Sequence, residues 1–293
     1  MCKYFMLYFL LPSFIVAFLL SWVVAGCLVA PAHSLVTSPI IDLPLKTIKL
    51  ASESGSILSG WHIHSKEAKG VVILLHGIRA TRLSMLKRAE FLYEEGYSVI
   101  LIDFQAHGES SGDHITVGYL EKYDVLTTIK YAKAQYSDEP VGIIGVSLGG
   151  ASALLASPQD IDALIIESVY LNIRTAVYNR VKQRLGIFSL IPTELLLAQL
   201  KPRLGINASM LSPVSYIDSI TCPIYIISGM ADRYTTQRET EVLYANAQQP
   251  KKLWLLPDIG HEDIYKASPT LYKENIITFF KNTMKKNDKI QVL

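Results

Sequence analysis

The pattern of hydrophobic and polar positions divides the chain into an apolar N-terminal segment and a regular alternation of short apolar runs with mixed stretches. After Lys3 no Asp, Glu, Lys or Arg occurs until Asp42. From Leu45 onward, apolar runs recur between amphipathic stretches. The pattern therefore predicts an N-terminal segment, residues 1–44, followed by one folded domain, residues 45–293.

The short apolar runs predict the strands of a mostly parallel sheet. LKTIKLAS and ILSGWHIH flank a Ser-Gly turn and predict an antiparallel pair. Four continuous runs, GVVILLHG, YSVILIDF, VGIIGVS and IDALIIES, are typical of parallel strands buried on both faces. Two further strands are predicted at CPIYIISG and KKLWLLPD. Because helical stretches separate the runs, we expect an α/β fold with an eight-stranded sheet and helices on both faces.

Residues 170–219 interrupt this rhythm. They contain no convincing strand, several aromatic and aliphatic residues, and three prolines. They lie between two predicted strands and predict a helical insertion over one end of the sheet. Insertions of this length in compact domains are commonly functional. We interpret this one as a lid beside a binding cleft, with an inert structural insertion as the alternative.

The N-terminal segment predicts membrane attachment. Residues 4–26 are almost wholly apolar, long enough for a bilayer span of roughly 20 residues and longer than the usual core of a cleaved signal peptide. Lys3 and the α-amino group are the only positive charges beside it, so the folded domain is expected on the exported, periplasmic or extracytoplasmic side. Residues 30–44 contain several prolines and are interpreted as a spacer between membrane and domain.

The three cysteines refine this prediction. Cys2 and Cys27 flank the apolar segment and Cys222 precedes a predicted strand, a spacing that fits neither a disulfide framework nor a zinc site. The segment VAGC resembles a bacterial lipobox, which implies lipidation of Cys27 as the mature N-terminus. Lipidation and an uncleaved transmembrane helix both stay open.

Charge and histidine spacing limit the possible partners. The formal net charge is +2, with Lys and Arg scattered among acids, so no nucleic-acid partner is expected. His62 and His64 face one side of a predicted strand, but no further His or Asp cluster joins them. We therefore predict neither a metal nor another cofactor.

The most informative motif ends the run VGIIGVS. Gly145, Ser147 and Gly149 fit G-x-S-x-G between a predicted strand and a predicted helix. An abrupt strand-to-helix turn strains the backbone at the serine and admits only very small residues two positions before and after it. The motif predicts that Ser147 is a nucleophile at the C-terminal edge of the sheet, facing the positive end of the next helix.

A serine hydroxyl needs a general base, and two later segments supply candidates. His261, in LPDIGHED, follows the last predicted strand, and Asp232, in ISGMADRYT, follows the strand before it. We expect His261 to take the proton of Ser147 and Asp232 to hold the His261 tautomer. Glu167, at the end of IDALIIES, is the alternative acid.

From about residue 45 to its end, the chain resembles an α/β-hydrolase fold protein of the serine-hydrolase type. The triad order and the blocks LLHGIRATRLSM, DFQAHGESSG, SGMADRYT and GHED carry the resemblance. The resemblance implies an oxyanion hole built from the backbone N–H groups of Ile78 and Leu148. His76 belongs to the HG turn, and we expect it to brace this turn. Gln105 and Ala106 stand where the superfamily has Arg-Gly, which leaves the packing of that loop open.

Together these residues predict a membrane-tethered serine hydrolase that cleaves an ester, thioester or amide through an acyl-enzyme. An ester of a small-molecule or lipid-like substrate is the default, and the apolar insertion favours a hydrophobic acyl group. A serine aminopeptidase-like peptidase is one alternative. The other is a catalytically silent α/β-hydrolase domain that binds a ligand or partner, although such domains usually lack a triad member.

Overall fold

A central eight-stranded sheet organises the chain in the computed structural model, which describes residues 2–37 and 43–285. In chain order the strands are β1 (Ala32–His33), β2 (Leu45–Ala51), β3 (Ile57–Ile63), β4 (Val71–Leu75), β5 (Ser98–Ile102), β6 (His107–Gly108), β7 (Val141–Val146), β8 (Ala163–Glu167), β9 (Ile224–Gly229) and β10 (Lys251–Leu256). The main sheet has the order β10-β9-β8-β7-β4-β5-β3-β2, and β1 pairs separately with β6. Neighbours from β10 to β5 are parallel, whereas β5–β3 and β3–β2 are antiparallel. The predicted mostly parallel eight-stranded sheet is confirmed.

Helices cover both faces of this sheet. In chain order the helices of the described residues are α1 (Cys2–Val29), α2 (Leu86–Glu94), α3 (Glu121–Gln135), α4 (Leu148–Leu155), α5 (Ile173–Leu185), α6 (Leu190–Leu197), α7 (Leu200–Leu204), α8 (Gln237–Asn246), α9 (Ile264–Ala267) and α10 (Pro269–Thr283). Side chains of α3, α4 and α8 pack on one face of the sheet, and those of α2, α9 and α10 pack on the other. In β4, Ile73 enters the first layer and Leu74 the second, because successive strand side chains point to opposite faces. The continuous apolar runs follow from this double burial.

The predicted insertion lies between β8 and β9. It consists of α5, α6 and α7, with a 3₁₀ turn between α5 and α6 and three more after α7, and no strand occurs within it. Buried side chains of Ile173, Leu197, Ile206 and Leu211 hold these helices together, and Leu155 of α4 belongs to the same cluster. The insertion therefore packs on α4, and its role as a lid stays a prediction.

The segment predicted as a spacer packs against the domain instead. Strand β1 pairs in parallel with β6, and the N–H of Ile115 donates to the carbonyl of Val29 at 2.8 Å. Val36 is buried in the layer of α2 and α10. Strand pairing and the burial of Val36 thus hold this part of the segment on the domain, and its role as a spacer stays a prediction. Residues 38–42, also part of the predicted spacer, lie outside the described residues.

The membrane prediction concerns the same end of the chain. Across residues 2–37 and 43–285, no helix combines the length and the apolar character that a membrane span requires. Membrane attachment through this segment stays a prediction. Cys27, the predicted lipidation site, is a free and exposed cysteine near the end of α1. Its lipidation stays a prediction.

Candidate active site

Ser147 lies on a sharp turn between β7 and α4. Its backbone has φ 50° and ψ −106°, a conformation that steric clashes of Cβ make costly for a residue other than glycine. Side chains at the flanking glycines would collide with backbone. A Cβ on Gly145 would lie 2.5 Å from the nitrogen of Gly150, and a Cβ on Gly149 would lie 2.7 Å from the carbonyl carbon of Leu75. The glycine spacing of the motif therefore has a steric cause.

His261 lies beside this serine, in the loop after β10. Its Nε2 is 3.4 Å from Oγ of Ser147, a long contact of the kind that tightens when substrate binds. On the other side of the ring, Nδ1 is 2.7 Å from Oδ2 of Asp232. Because a carboxylate can only accept, Nδ1 carries the proton and Nε2 is left as an acceptor facing the serine. The arrangement can remove a proton from Ser147.

Asp232 follows β9 and is held by the turn that it begins. Its Oδ1 accepts hydrogen bonds from the backbone N–H groups of Tyr234 and Thr235, at 2.8 and 2.9 Å. Its Oδ2 accepts from the Thr235 hydroxyl at 2.6 Å and from His261. Burial opposes ionisation of Asp232, but its interactions with His261 and Thr235 outweigh burial and lower the pKa of the carboxyl. Asp232 is therefore ionised at neutral pH.

Two neighbours of the acid were not predicted from the sequence. Thr235 donates to Asp232, and the ring of Tyr234 packs edge-on against His261 with centroids 5.6 Å apart. The available signal is the D-x-x-T spacing, since an Asp that opens a turn commonly accepts from the backbone two and three residues later. The two side chains fix the acid and the ring of the base.

The alternative acid, Glu167, is engaged elsewhere. Its carboxylate lies 2.7 Å from Nη2 of Arg88, and the Tyr272 hydroxyl also donates to it. Both charged side chains are almost fully buried. Glu167 contacts the serine only through its backbone, because its carbonyl accepts from the N–H of Ser147 at 2.7 Å. The structure thus brings Asp232, and not Glu167, to the ring of His261.

The residues predicted to form the oxyanion hole border the space in front of Ser147. Ile78 and Leu148 line the same cavity as the serine. Leu148 is the first residue of α4, so its N–H has no acceptor within the helix. Ile78 follows Gly77, and a Cβ on Gly77 would lie 3.8 Å from Cβ of Ser147. The turn after β4 therefore faces the candidate nucleophile.

His76 connects this turn to the loop after β5. Its Nδ1 donates to the carbonyl of Gly77 at 2.7 Å, and its Nε2 accepts from the N–H of Phe104 at 3.0 Å. Burial, together with the neighbouring His107, lowers the pKa of His76 to about 3. His76 is thus a neutral side chain whose two nitrogens are both used in bracing.

The departure at residues 105–106 is accommodated within the same loop. The Gln105 amide donates to the carbonyl of His114 at 2.7 Å and to the carboxylate of Glu121 at 2.8 Å. Ala106 has φ 57°, a conformation that glycine adopts more readily, and its N–H donates to the carbonyl of Ser111 at 2.8 Å. Side-chain hydrogen bonds from Gln105 therefore hold the loop without the Arg-Gly pair.

His62, on β3, and His64, just after its end, both contact tyrosine hydroxyls. His62 has Nδ1 3.1 Å from the Tyr131 hydroxyl and Nε2 2.5 Å from the Tyr136 hydroxyl. His64 places Nδ1 2.9 Å from the same Tyr136 hydroxyl. Burial, followed by the nearby His64 and Lys46, lowers the pKa of His62 to about 4. In the part of the chain that the structure describes, no cluster of three or more His, Cys, Asp or Glu side chains could hold a metal ion.

The sheet order and the strained serine turn define the class of this protein. A mostly parallel eight-stranded sheet in which Ser147, Asp232 and His261 follow β7, β9 and β10 in that order is the α/β-hydrolase fold. The family model described as serine aminopeptidase, S33, matches residues 66–215, over half of the chain. The chain belongs to this family of α/β hydrolases. A second model, described as PhoPQ-activated pathogenicity-related protein, matches residues 200–292.

Individual relatives extend the similarity over most of the chain. The uncharacterized protein YqkD of Bacillus subtilis is 27% identical over 240 residues, which are 80% of this chain and 78% of that protein. Human protein ABHD12B is 25% identical over 255 residues, which are 76% of this chain and 69% of that protein.

Solved structures show the same fold. An esterase from Pyrococcus furiosus has a TM-score of 0.71 at 25% identity, covering 87% of this chain and 98% of the esterase. An acylaminoacyl peptidase from Pyrococcus horikoshii has a TM-score of 0.61 at 16% identity, covering 85% of this chain and 43% of the peptidase. At that identity the peptidase shows the shared fold alone.

Proposed function

We propose that this chain is a serine hydrolase that cleaves esters through an acyl-enzyme on Ser147. One observation carries the proposal, namely the continuous polar chain from serine to base to acid. Ser147 Oγ lies 3.4 Å from Nε2 of His261, whose Nδ1 lies 2.7 Å from the buried carboxylate of Asp232. The three residues lie far apart in the sequence, and the stability of the fold does not require their side chains to form a hydrogen-bonded chain beside a cavity. A shared catalytic role accounts for their meeting.

Each residue then has a defined part in the reaction. His261 accepts the Ser147 proton as Oγ attacks the substrate carbonyl carbon, and Asp232 stabilises the imidazolium that forms. The backbone N–H groups of Ile78 and Leu148 donate to the oxyanion. His261 next gives its proton to the leaving alcohol as the C–O bond breaks. Water, deprotonated by His261, then attacks the acyl-enzyme and releases the acid, which restores Ser147.

The lining of the cavity favours an ester over an N-terminal peptide. An aminopeptidase has to bind the substrate ammonium group, for which a carboxylate is the natural partner. Among the described residues that line the cavity beside Ser147, the charged ones are Arg180 and Arg203, and none is Asp or Glu. Similarity to an esterase supports the same choice. The S33 description of the family keeps aminoacyl substrates, and with them amides, as the second candidate.

A fluorophosphonate probe tests the nucleophile directly. The wild-type protein should be labelled, whereas Ser147→Ala should lose both labelling and esterase turnover, by roughly 10⁶ as in other serine triads. Ser152→Ala is the matched control, since its hydroxyl bonds to the Leu148 carbonyl at 2.8 Å within α4. It should keep its labelling. Undiminished turnover in Ser147→Ala, on protein free of host esterases, contradicts the proposal, and an unlabelled wild-type protein supports a silent binding domain.

The substrate bond is tested with two series of compounds. Hydrolysis of p-nitrophenyl acyl esters and of aminoacyl p-nitroanilides is compared at equal concentrations. We expect the esters to be cleaved with the higher kcat/KM. A preference for the anilides would assign a peptidase and not an esterase.

Membrane attachment through the N-terminal segment, with the domain exported, is proposed on the sequence alone. We expect the full-length protein to sediment with membranes and to need detergent for release. Palmitate labelling of the wild-type protein that disappears in Cys27→Ser assigns a lipid anchor. If Cys27→Ser stays in the membrane fraction like the wild-type protein, the anchor is the uncleaved N-terminal segment. Protein that stays in the supernatant without detergent contradicts attachment.

A further inference from the structure

Helix α1 has one buried face in its second half. Ser21, Ala25 and Val29 are 8%, 6% and 9% exposed, whereas Leu20 and Val23 are 62% and 64% exposed. Residues four positions apart lie on the same face of a helix. This face must therefore contact the rest of the molecule, although the helix precedes the hydrolase domain in sequence.

The buried face borders the cavity that contains the candidate nucleophile. The cavity has a volume of about 150 Å³, and Ser147 is one of the residues that line it. Ala25 and Val29 of α1 also line it, as do Ile173 and Leu197 of the insertion. Helix α1, the insertion and the serine therefore all border one cavity.

The polar side chains around this cavity are already paired with protein groups. The Tyr170 hydroxyl donates to the Val117 carbonyl at 2.7 Å. Arg180 donates to the Ala176 carbonyl at 3.1 Å and stacks over the ring of Tyr234 at 5.2 Å. The remaining lining is mainly aliphatic. Such a surface gains free energy by taking apolar atoms out of water, and it suits a hydrocarbon chain.

Specific contacts hold helix α1 on the insertion. The guanidinium of Arg203 lies 3.9 Å from the ring centroid of Trp22 and also donates to the Trp22 carbonyl. The Gln199 amide donates to the Ser21 hydroxyl at 2.9 Å. These cation–π and hydrogen-bond contacts hold one face of α1 against the insertion. The position of Ala25 at the cavity follows from them.

A second arginine fixes the end of the same helix. Arg79 follows Ile78 in the turn after β4, and its Nη2 donates to the carbonyls of Cys27, Leu28 and Ala30, the last two at 3.3 Å. The carbonyls of Cys27 and Leu28 belong to the last turn of α1 and that of Ala30 directly follows it, where the helix dipole favours a cation. The residue next to the predicted oxyanion donor therefore also positions the cavity wall.

We propose that helix α1 contributes to substrate binding in the active site. Its residues Ala25, Leu28 and Val29 form one wall of a pocket for the acyl chain of the substrate. This inference rests on the proposed esterase function and adds the substrate class, which is an ester of an apolar acid longer than acetate. The proposal also requires that the mature protein keep α1, because cleavage before Cys27 would remove Ala25. Of the two membrane attachments, it favours the uncleaved segment.

Steric filling of the pocket tests the proposal. In Ala25→Trp the indole would enter the space beside Ser147 from the α1 side. We expect kcat/KM for p-nitrophenyl octanoate to fall about tenfold or more and kcat/KM for p-nitrophenyl acetate to change by about twofold or less. The reason is that only the octanoyl chain would occupy the volume that the indole fills. Val23→Trp is the matched control on the exposed side of the same helix. It should leave both esters unaffected.

Two further measurements keep the outcome decisive. Leu28 lines the cavity and is 50% exposed, so Leu28→Trp places a ring at the same wall even if Ala25→Trp fails to fold. The intact mass of the purified protein shows whether α1 is retained. The pocket proposal is overturned if folded Ala25→Trp or Leu28→Trp turns over the octanoate ester as fast as the wild-type protein. It is also overturned if the mature chain begins at Cys27. Either result leaves the esterase proposal in place. Absence of turnover of both esters by the wild-type protein overturns the esterase proposal itself.

Discussion

Replacement of Asp232 by Asn tests whether the acid sets the tautomer of His261. Oδ1 of Asp232 accepts from the N–H groups of Tyr234 and Thr235, so the Asn carbonyl oxygen takes that position and keeps both bonds. The amide nitrogen then replaces Oδ2, which lies 2.7 Å from Nδ1 of His261. An amide nitrogen donates, so Nδ1 becomes the acceptor and the ring proton moves to Nε2. That proton then points at Ser147, and the base can no longer accept.

The size of the effect follows from this single proton. We expect Asp232→Asn to lower kcat by about 10⁴, the loss that the same change causes in a serine protease triad, which corresponds to roughly 5 kcal/mol in the activation barrier. Stability should change far less. Both backbone hydrogen bonds to the side chain survive, and the altered contact with the Thr235 hydroxyl costs on the order of 1 kcal/mol.

The assay is kcat for a p-nitrophenyl ester, measured beside the thermal unfolding temperature of each variant. Asp258→Asn is the control, because Asp258 is exposed in the loop that leads to His261 and has φ 60°, which Asn tolerates. It should keep wild-type activity. An Asp232→Asn protein that is folded and retains about a tenth or more of kcat refutes the assignment, given the 10⁴-fold loss expected of a triad acid.

Three further predictions concern the surroundings of the triad. Gly149→Val brings a side chain against the Leu75 backbone. It should abolish activity and lower the free energy of unfolding by about 1–3 kcal/mol or more. A variant as stable as the wild-type protein in urea unfolding contradicts the steric explanation. Glu167→Gln removes the buried carboxylate partner of Arg88 and leaves the arginine paired with Asp263, so it should cost about 1–3 kcal/mol in the same assay. A stable variant without activity would reopen Glu167 as the acid. The pKa of His76 falls from 6.5 to about 3 on folding, so below pH 6.5 the unfolded state binds a proton that the folded state does not. The free energy of unfolding should therefore be highest above pH 6.5 and decline as the pH falls toward 3. Urea unfolding across that range should be less pH-dependent in His76→Gln, and an unchanged slope contradicts the burial of a neutral imidazole.

The strands and the serine turn could be predicted because their causes are local. A parallel strand covered on both faces has to be apolar throughout, and the turn at Ser147 admits only glycine two positions away on either side. His261 and Asp232 could be predicted because each follows a strand that the pattern had already located. Strand order then brings their loops to the same edge of the sheet.

The remaining features depend on partners that are distant in sequence. Glu167 stayed open as an acid because its position at the end of β8 gives no sign of Arg88, which lies 79 residues earlier. The packing of residues 30–37 could not be predicted because these residues are neither strongly apolar nor periodic, yet they pair with β6 and bury Val36. The buried face of α1 was equally invisible, since a helix that is apolar all round shows no preferred side.

The contact between Trp22 and Arg203 also has a consequence for the order of events during synthesis. The two residues are 181 positions apart, and ribosomes add about 5–20 residues per second, so roughly 9–36 s pass between their appearances. Throughout that interval α1 has been made but its partner has not. The face that later borders the cavity is meanwhile available to any cellular factor that binds apolar helices of nascent chains. Such a factor has to release α1 before the insertion can close against it, which makes completion of the cavity one of the last steps of folding.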